Sequence, residues 1–406
     1  MAEAARIPQP SAPAWRAPLA GARRLAVLAL GLALAACSTV VPRTQGPAPT
    51  QQGPARPAPT AAPRIDSTIP QDTQRHSIAL LVPMTGANAA VGQSIANATQ
   101  LAILDTKTDR IRVTTYDTTP GAAAAAQRAL ADGNRLILGP LLADDVRVIA
   151  PLARAARVPV ITFSNDASVA GGGTYVLGYT PAQSITRVVS FAASRGIREF
   201  AGLIPNGLYG DRAATAFLRA VEAAGGQVLA LQTYDRQPGA LGAAVQRLAK
   251  SGPYRAVLIA DSGGTGAVAV PLIRRSGGAT AQIMGTDLWN TETSLASNPA
   301  LNGAWYASVS NALYRQYAIK YRARFGTAPF RLSSLGYDAV LLTVRIVRDW
   351  PIGTPFPVAR LADRGGFAGL DGAFRFGADG VAERALEVQE FRAGTTATIS
   401  PAPAGF

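Results

Sequence analysis

Residues 78–105 read IALLVPMTGANAAVGQSIANATQLAILD. The apolar run from Ile78 to Val82 stops at Pro83, which cannot continue a strand ladder, and Gly86 follows in a short turn. Beyond it, AVGQSIANATQLAILD carries the alternation of a helix with one apolar face. Strand, turn, helix is one half of a βαβ unit, and the same grammar recurs downstream. Strands are predicted at IRVTTYD, RLILG, VPVITF, YVLGY, EFAGLIP, QVLALQTY, RAVLIA and QIMGT, with alanine-rich helices between most of them. Such alternation requires parallel sheets covered on both faces by helices. The strands are too many for one comfortable sheet. A new βα series starts after Gly178-Tyr179-Thr180-Pro181, so the body is expected to be two α/β lobes around a shared cleft. After Trp305 the pattern changes to two long helices, near 311–326 and 332–349, and then a hairpin turning at Gly377–Gly380.

Upstream of this body the texture is different. Arg23 and Arg24 precede LAVLALGLALAAC, an apolar run too short to span a bilayer and suited to an export signal. It ends at Cys37, the only cysteine in the chain. LAAC resembles a bacterial lipobox, so residues 1–36 are expected to be removed and Cys37 to be lipidated, which leaves no cysteine for a disulfide. Ser38 after that cysteine favours, by the same resemblance, anchoring at the outer membrane and facing the periplasm. The segment 37–75 holds eight prolines among Gln, Thr, Ala and Gly. It reads as a disordered, extended tether. The chain has 39 Lys and Arg against 25 Asp and Glu, a formal charge of +14, with the excess arginine thinly spread. No basic block or basic–aromatic alternation points to nucleic acid.

One motif points elsewhere. In YRAVLIADSGGTGAVAV, residues 254–270, an apolar run leads to G-x-G-x-x-A at Gly264–Ala269, and Asp287 follows after a second apolar run. This is the outline of a dinucleotide fingerprint. Asp261, Ser262 and Gly263 intervene between strand and motif, so the backbone would not meet a pyrophosphate in the usual place. A cleft-lining loop with glycines for turn geometry is the better reading, and no cofactor is expected. His76, the single histidine, lies at the tether junction and reads as a linker residue. The acids Asp144, Asp145, Asp166 and Asp287 could be paired as hydrolytic carboxylates, but helix capping and cleft polarity explain them more simply. No metal set or catalytic constellation assembles, and the body is expected not to be an enzyme.

Pro83-x-Thr85-Gly86 with Asn97-Ala98-x-Gln100-Leu101-Ala102, followed in order by IPNGLYGDRAATAFLRAVEAAGG, QIMGTD, LGYDAVLLTVRIV and GLDGAFRFGADGVAERALEVQEF, resembles the Leu/Ile/Val-binding proteins of the type 1 periplasmic-binding fold. Within that fold, LGPLLADDVRVIAPLA and VPVITFSND are most similar to the lipoproteins called penicillin-binding protein activators. The resemblance implies an N-lobe of 77–180 plus 308–368 and a C-lobe of 181–307 plus 369–406, with three hinge crossings. It also implies where a ligand would sit. Tyr209 matches an aromatic that packs on the ligand, and Asp287 the acid that meets an ammonium. Leu142 and Ala143, with Asp144 behind them, stand where amino-acid-binding relatives carry a hydroxyl turn. Ser164, Asn165 and Asp166 occupy the next such turn, and Ser262 a further cleft position. Thr180-Pro181-Ala182 replaces an aspartate. The carboxylate half of an amino-acid site is therefore absent or rebuilt. The function this implies is a lipid-anchored activator that engages a peptidoglycan synthase, a bifunctional penicillin-binding protein. The alternative is the substrate-binding component of an ABC importer for amino acids or similar small polar solutes.

Overall fold

The computed structural model describes residues 72–291, 293–403 and 405; the expected signal segment, Cys37 and all but the last few residues of the expected tether lie outside them. The first half of the body runs β1 (His76–Val82), α1 (Ala89–Thr106), β2 (Ile111–Asp117), α2 (Ala122–Ala131), β3 (Leu136–Leu138), α3 (Ala143–Ala155), β4 (Val160–Thr162) and β5 (Thr174–Val176). These strands form one parallel sheet in the order β2-β1-β3-β4-β5. Every residue of β3 and β4 is buried, as a strand covered on both faces must be.

The second series runs α4 (Pro181–Ser194), β6 (Glu199–Pro205), α5 (Leu208–Ala223), β7 (Gln227–Tyr234), α6 (Ala240–Ala249), β8 (Ala256–Ile259), α7 (Gly263–Arg275), β9 (Gln282–Gly285) and β10 (Trp305–Ser308). The chain then returns to the first lobe with α8 (Ala312–Phe325) and α9 (Ser333–Val347). Leu335 and Ala339 of α9 join Ile95 of α1 in the first-lobe core. Gly336 makes that crossing close: a Cβ there would stand 2.8 Å from the Ile95 carbonyl oxygen. Three short strands, β11 (Phe367–Gly369), β12 (Gly372–Phe376) and β13 (Ala382–Arg384), form an antiparallel sheet of their own. The last two strands, β14 (Glu387–Arg392) and β15 (Thr395–Ser400), close the second sheet, whose order is β15-β14-β10-β9-β8-β6-β7. Strands β6 to β10 are parallel, and β14 and β15 are antiparallel. The architecture is the two-lobe α/β fold expected from the sequence. Each sheet reverses its strand order once, between β1 and β3 and between β6 and β8, which is where open α/β sheets offer a ligand crevice.

Several local expectations change. Phe367, Phe374, Phe376 and Ala382 are buried in the first-lobe core, and Val381 bridges to Val176 of β5. We therefore place the third crossing at Ala385–Leu386 and not at 368/369, because the aromatic side chains of the small sheet have their apolar partners in the first lobe. His76 is not a linker residue. It opens β1, is 3% exposed, stacks on Trp350 with centroids 3.8 Å apart, and its Nε2 lies 3.0 Å from the Trp350 carbonyl oxygen. Trp289, Trp350 and Tyr306 are core residues. Gly171–Gly173 is a pinned turn: Gly171 pairs with Thr174, and the Gly172 carbonyl accepts from Arg154 Nε at 3.1 Å.

The glycines of the dinucleotide-like motif are also reassigned. They lie in the first turns of α7, not in a cleft loop, and their φ values are not left-handed. A Cβ on Gly263 would sit 2.0 Å from Leu295 Cδ1, and one on Gly266 2.5 Å from Trp289 Cζ2. Gly285 makes room for the same indole, its added Cβ falling 2.2 Å from Trp289 Cδ2. The glycines are there so that helix and strand can close on Trp289, whose Nε1 donates to the Asp261 carbonyl at 3.0 Å.

Candidate functional site

Between the lobes lies a cavity of about 380 Å³. The first lobe contributes Asn88, Val91, Leu141, Leu142, Phe163, Asn165, Arg331 and Leu332; the second contributes Gln183, Ser184, Asp287, Leu288, Asn290, Thr291 and Val309. Tyr179, Ser308 and Leu386 line it beside the hinge. The walls are mostly apolar, with a few polar groups converging, as in small-molecule sites generally.

Asp287 is the acid of the second lobe. The chain leaves β9 at Gly285, and Thr286 caps the short turn Asp287–Asn290 that aims the carboxylate inward. Its Oδ1 accepts from Ser184 Oγ at 2.7 Å. Burial pushes its pKa up to about 6, against the opposing pull of the Ser184 bond and of the Arg331 and Arg384 charges.

Arg331 is the cation of the first lobe, immediately before α9. Its Nη2 stands 2.7 Å from Asp371 Oδ1, as an ion pair rather than an aligned hydrogen bond. Its Nη1 donates to Ser334 Oγ at 2.9 Å, and the guanidinium lies over the Tyr314 ring at 4.1 Å. Asp371 also accepts from the Tyr179 hydroxyl and from Ser334 Oγ. Burial alone would raise the pKa of Asp371, but the Arg331 and Arg384 guanidinia hold it below the usual range. Asp338, beside it, accepts from the Leu370 and Asp371 amides; burial and then the Asp371 charge push its pKa up. Arg384 completes the cluster, donating Nη2 to the Leu177 carbonyl at 2.6 Å and lying 4.9 Å from the Tyr179 ring centroid.

The residues singled out from sequence are only partly brought together. Leu142, Asn165 and Asp287 line the cavity. Tyr209 does not; it packs against the second-lobe core with its hydroxyl 3.2 Å from Thr286 Oγ1, touching the site through its neighbour. Ala143 opens α3, and Asp144 and Asp145 follow in its first turn without capping it, the N-cap being Leu142. They favour the helix dipole from within, and Asp144 pairs with Arg147 at 2.7 Å. Ser164 is buried, and its Oγ accepts from the Asp166 amide. Asp166 does not present a bare charge to the cleft: Arg147 and Arg212 both hold it. Ser262 caps α7 by accepting from the Thr265 amide at 3.2 Å, away from the cavity wall. Thr180, Pro181 and Ala182 start α4 and face a separate groove. Arg331, Ser184 and Phe163 were not singled out. Nothing in RLSSLGYDA distinguishes one arginine among many in an arginine-rich chain.

The sequence profile of the family described as periplasmic binding protein matches residues 76–396. Among solved structures of similar fold is a putative branched-chain amino acid ABC transporter from Rhodospirillum rubrum, with a TM-score of 0.71 and 19% identity over 80% of this chain and 100% of that one. Another is full-length LpoA from Haemophilus influenzae, with a TM-score of 0.62 and 19% identity over 81% of this chain and 60% of that one. The uncharacterized protein RP748 of Rickettsia prowazekii (strain Madrid E) is 25% identical over 187 residues, 45% of this chain and 50% of its own length. The chain thus spans about half the length of the curated relative it matches.

Proposed function

We propose, from the premise that the chain belongs to the periplasmic binding protein family with a type 1, Leu/Ile/Val-binding-like fold, that its cleft binds a small solute with an apolar body and a cationic group, without chemical turnover. The observation that carries this reading is the inter-lobe cavity of about 380 Å³, into which the half-buried Asp287 carboxylate is set with Ser184 as its hydrogen-bond donor. A partly desolvated carboxylate held that way is poised for a charged partner. Solute capture fits the binding component of an importer for amino acids or similar solutes, exported and held at the envelope through Cys37 and the proline-rich tether.

The test is thermal unfolding of the purified protein against a panel of L-amino acids. A ligand at 100 times its dissociation constant adds about 2.7 kcal/mol of stability. The expected result is a clear shift that Asp287→Ala abolishes. No shift with any amino acid would sink the reading.

A second reading keeps the fold as a scaffold that reaches a peptidoglycan synthase, as in the penicillin-binding protein activators. It is supported by the resemblance of LGPLLADDVRVIAPLA, by the lipobox and tether, and by the fold shared with LpoA. Recovery of a bifunctional penicillin-binding protein with the tagged chain after envelope crosslinking, retained in Asp287→Ala, would favour it.

A further inference from the structure

An amino-acid-like solute needs a place for its carboxylate, and the side chains of the turns after β3 and β4 offer no cation and only the neutral Asn165 amide on the cavity wall. Leu142 and Ala143 have no hydroxyl, Ser164 Oγ is engaged by the Asp166 amide, and Asp166 is itself an acid. The polar groups on the second-lobe wall are largely spoken for: Gln183 by the Ala382 carbonyl and Thr180 amide, Asn290 by Asn311, Ser184 by Asp287.

Arg331 is the remaining cation on the cavity wall. It is held by Asp371, Ser334 and the Tyr314 ring, and its side chain keeps 10% of its surface accessible. It does not pair with Asp287 across the cavity; among the described residues its ion-pair partner is Asp371. Arg331 and Arg384 both act on the ionised Asp371, while Asp338 is driven toward its neutral form by burial and by that neighbour. The two guanidinium charges also reach Asp287, so the cavity sets a cation on the first-lobe wall against a carboxylate on the second.

We infer that Arg331 receives the carboxylate of the ligand, so that the anion subsite has moved from the turns after β3 and β4 to the start of α9, opposite Asp287. This rests on the reading of the cavity as a solute site. The ligand class is a small amino-carboxylic acid lying across the cavity, its carboxylate on the first lobe at Arg331, its ammonium on the second at Asp287, and its apolar body against Leu141, Phe163 and Val309. Binding then ties the two lobes together through one molecule. A preformed, stacked guanidinium suits a planar carboxylate better than a lysine would.

The experiment is isothermal titration of the full chain at pH 7.5 with L-leucine, L-isoleucine and L-phenylalanine and with their amides, which keep the ammonium and lose the carboxylate. The acids are expected to bind, and each amide to bind about ten- to a hundred-fold more weakly. Arg331→Gln should weaken the acids by a similar factor and leave the amides unchanged. Should Arg331→Gln fold poorly because Asp371 is stranded, the neutral pair Arg331→Gln with Asp371→Asn replaces it. Acids and amides binding equally, or both weakened equally by the substitution, would overturn the assignment of Arg331 while leaving the solute reading intact. Binding of neither series to the unaltered protein would overturn both.

Discussion

Asp166, in the loop after β4 of the first lobe, is 2.5 Å from Arg212 Nη2 on α5 of the second, and the same Oδ2 is 2.7 Å from Arg147 Nη2 on α3 of its own lobe. One buried oxygen therefore joins the lobes, in a groove that also holds Thr180, Pro181 and Ala182 of the first crossing. Burial raises the pKa of Asp166, but the Ser168 bonds and then the two guanidinia outweigh it and hold it below the usual value. The stability contributed is present above the unfolded carboxylate pKa and is lost as pH falls through the lower folded value.

Arg212→Ala removes only the inter-lobe half of this arrangement. Because Arg212 is partly exposed, the expected loss of stability is about 1 kcal/mol. The more telling readout is shape. Small-angle scattering of the ligand-free variant should give a larger radius of gyration than the unaltered protein, and a saturating ligand should narrow the gap. An unchanged radius would show that Asp166–Arg212 does not restrain the lobes.

Gly266→Ala tests the reassignment of the glycine motif. On helix propensity alone alanine would stabilise α7 by up to about 1 kcal/mol. The added Cβ instead meets the Trp289 ring, so a loss of about 1–3 kcal/mol is expected in urea unfolding. Combining it with Trp289→Leu, which removes the obstructing ring, should cost less than the two single losses added together. A gain in stability from Gly266→Ala alone would refute the packing account.

His76 gives a pH signature. Burial lowers its pKa; the Trp350 carbonyl bond opposes this, and the Arg110 charge adds to it. The unfolded chain takes up a proton near pH 6.5 while the folded protein resists it. Stability from this residue is therefore present above about pH 6.5 and declines as pH falls through that value toward the folded pKa. Urea midpoints at pH 7.5 and 5.5 should separate more for the unaltered protein than for His76→Phe, which keeps a ring against Trp350 and cannot be protonated. Equal separations would remove His76 from the account.

Asp287 works in the opposite sense. With its folded pKa near 6, the folded protein holds a proton that the unfolded chain releases between about pH 3.8 and 6, so a destabilising contribution builds up across that window and is fully present above pH 6. Asp287→Asn should raise ligand-free stability at pH 8 by up to about 3 kcal/mol, the equivalent of a shift of roughly two pKa units, less whatever the weaker Ser184 bond forfeits. At pH 4 the gain should disappear. The same variant should lose amino-acid binding, and the unaltered protein should bind more weakly as pH falls below 6. Stability and function oppose each other at this residue, as they often do at binding sites.

Much of the fold was legible because its information is local. The α1 helix expected at 90–105 spans 89–106, and the helices expected near 311–326 and 332–349 span 312–325 and 333–347. Apolar periodicity and the stops set by Pro and Gly are properties of neighbouring residues, and burial of the resulting faces demands the layered α/β arrangement. Asp287 was singled out as a ligand contact only through the family resemblance of QIMGTD, and it stands on the cavity wall.

What the sequence by itself determined is therefore the order of strands and helices and the two-lobe class. What only the tertiary structure decided is which charges meet. Arg331 reaches Asp371 across 40 positions and Arg212 reaches Asp166 across 46. His76 finds Trp350 across 274, and the glycines of α7 are explained by an indole that follows them in the chain. Such partners are chosen by long-range packing in a low-dielectric interior, where a charge must be compensated by whatever the fold brings near it. No spacing rule along the chain encodes that choice.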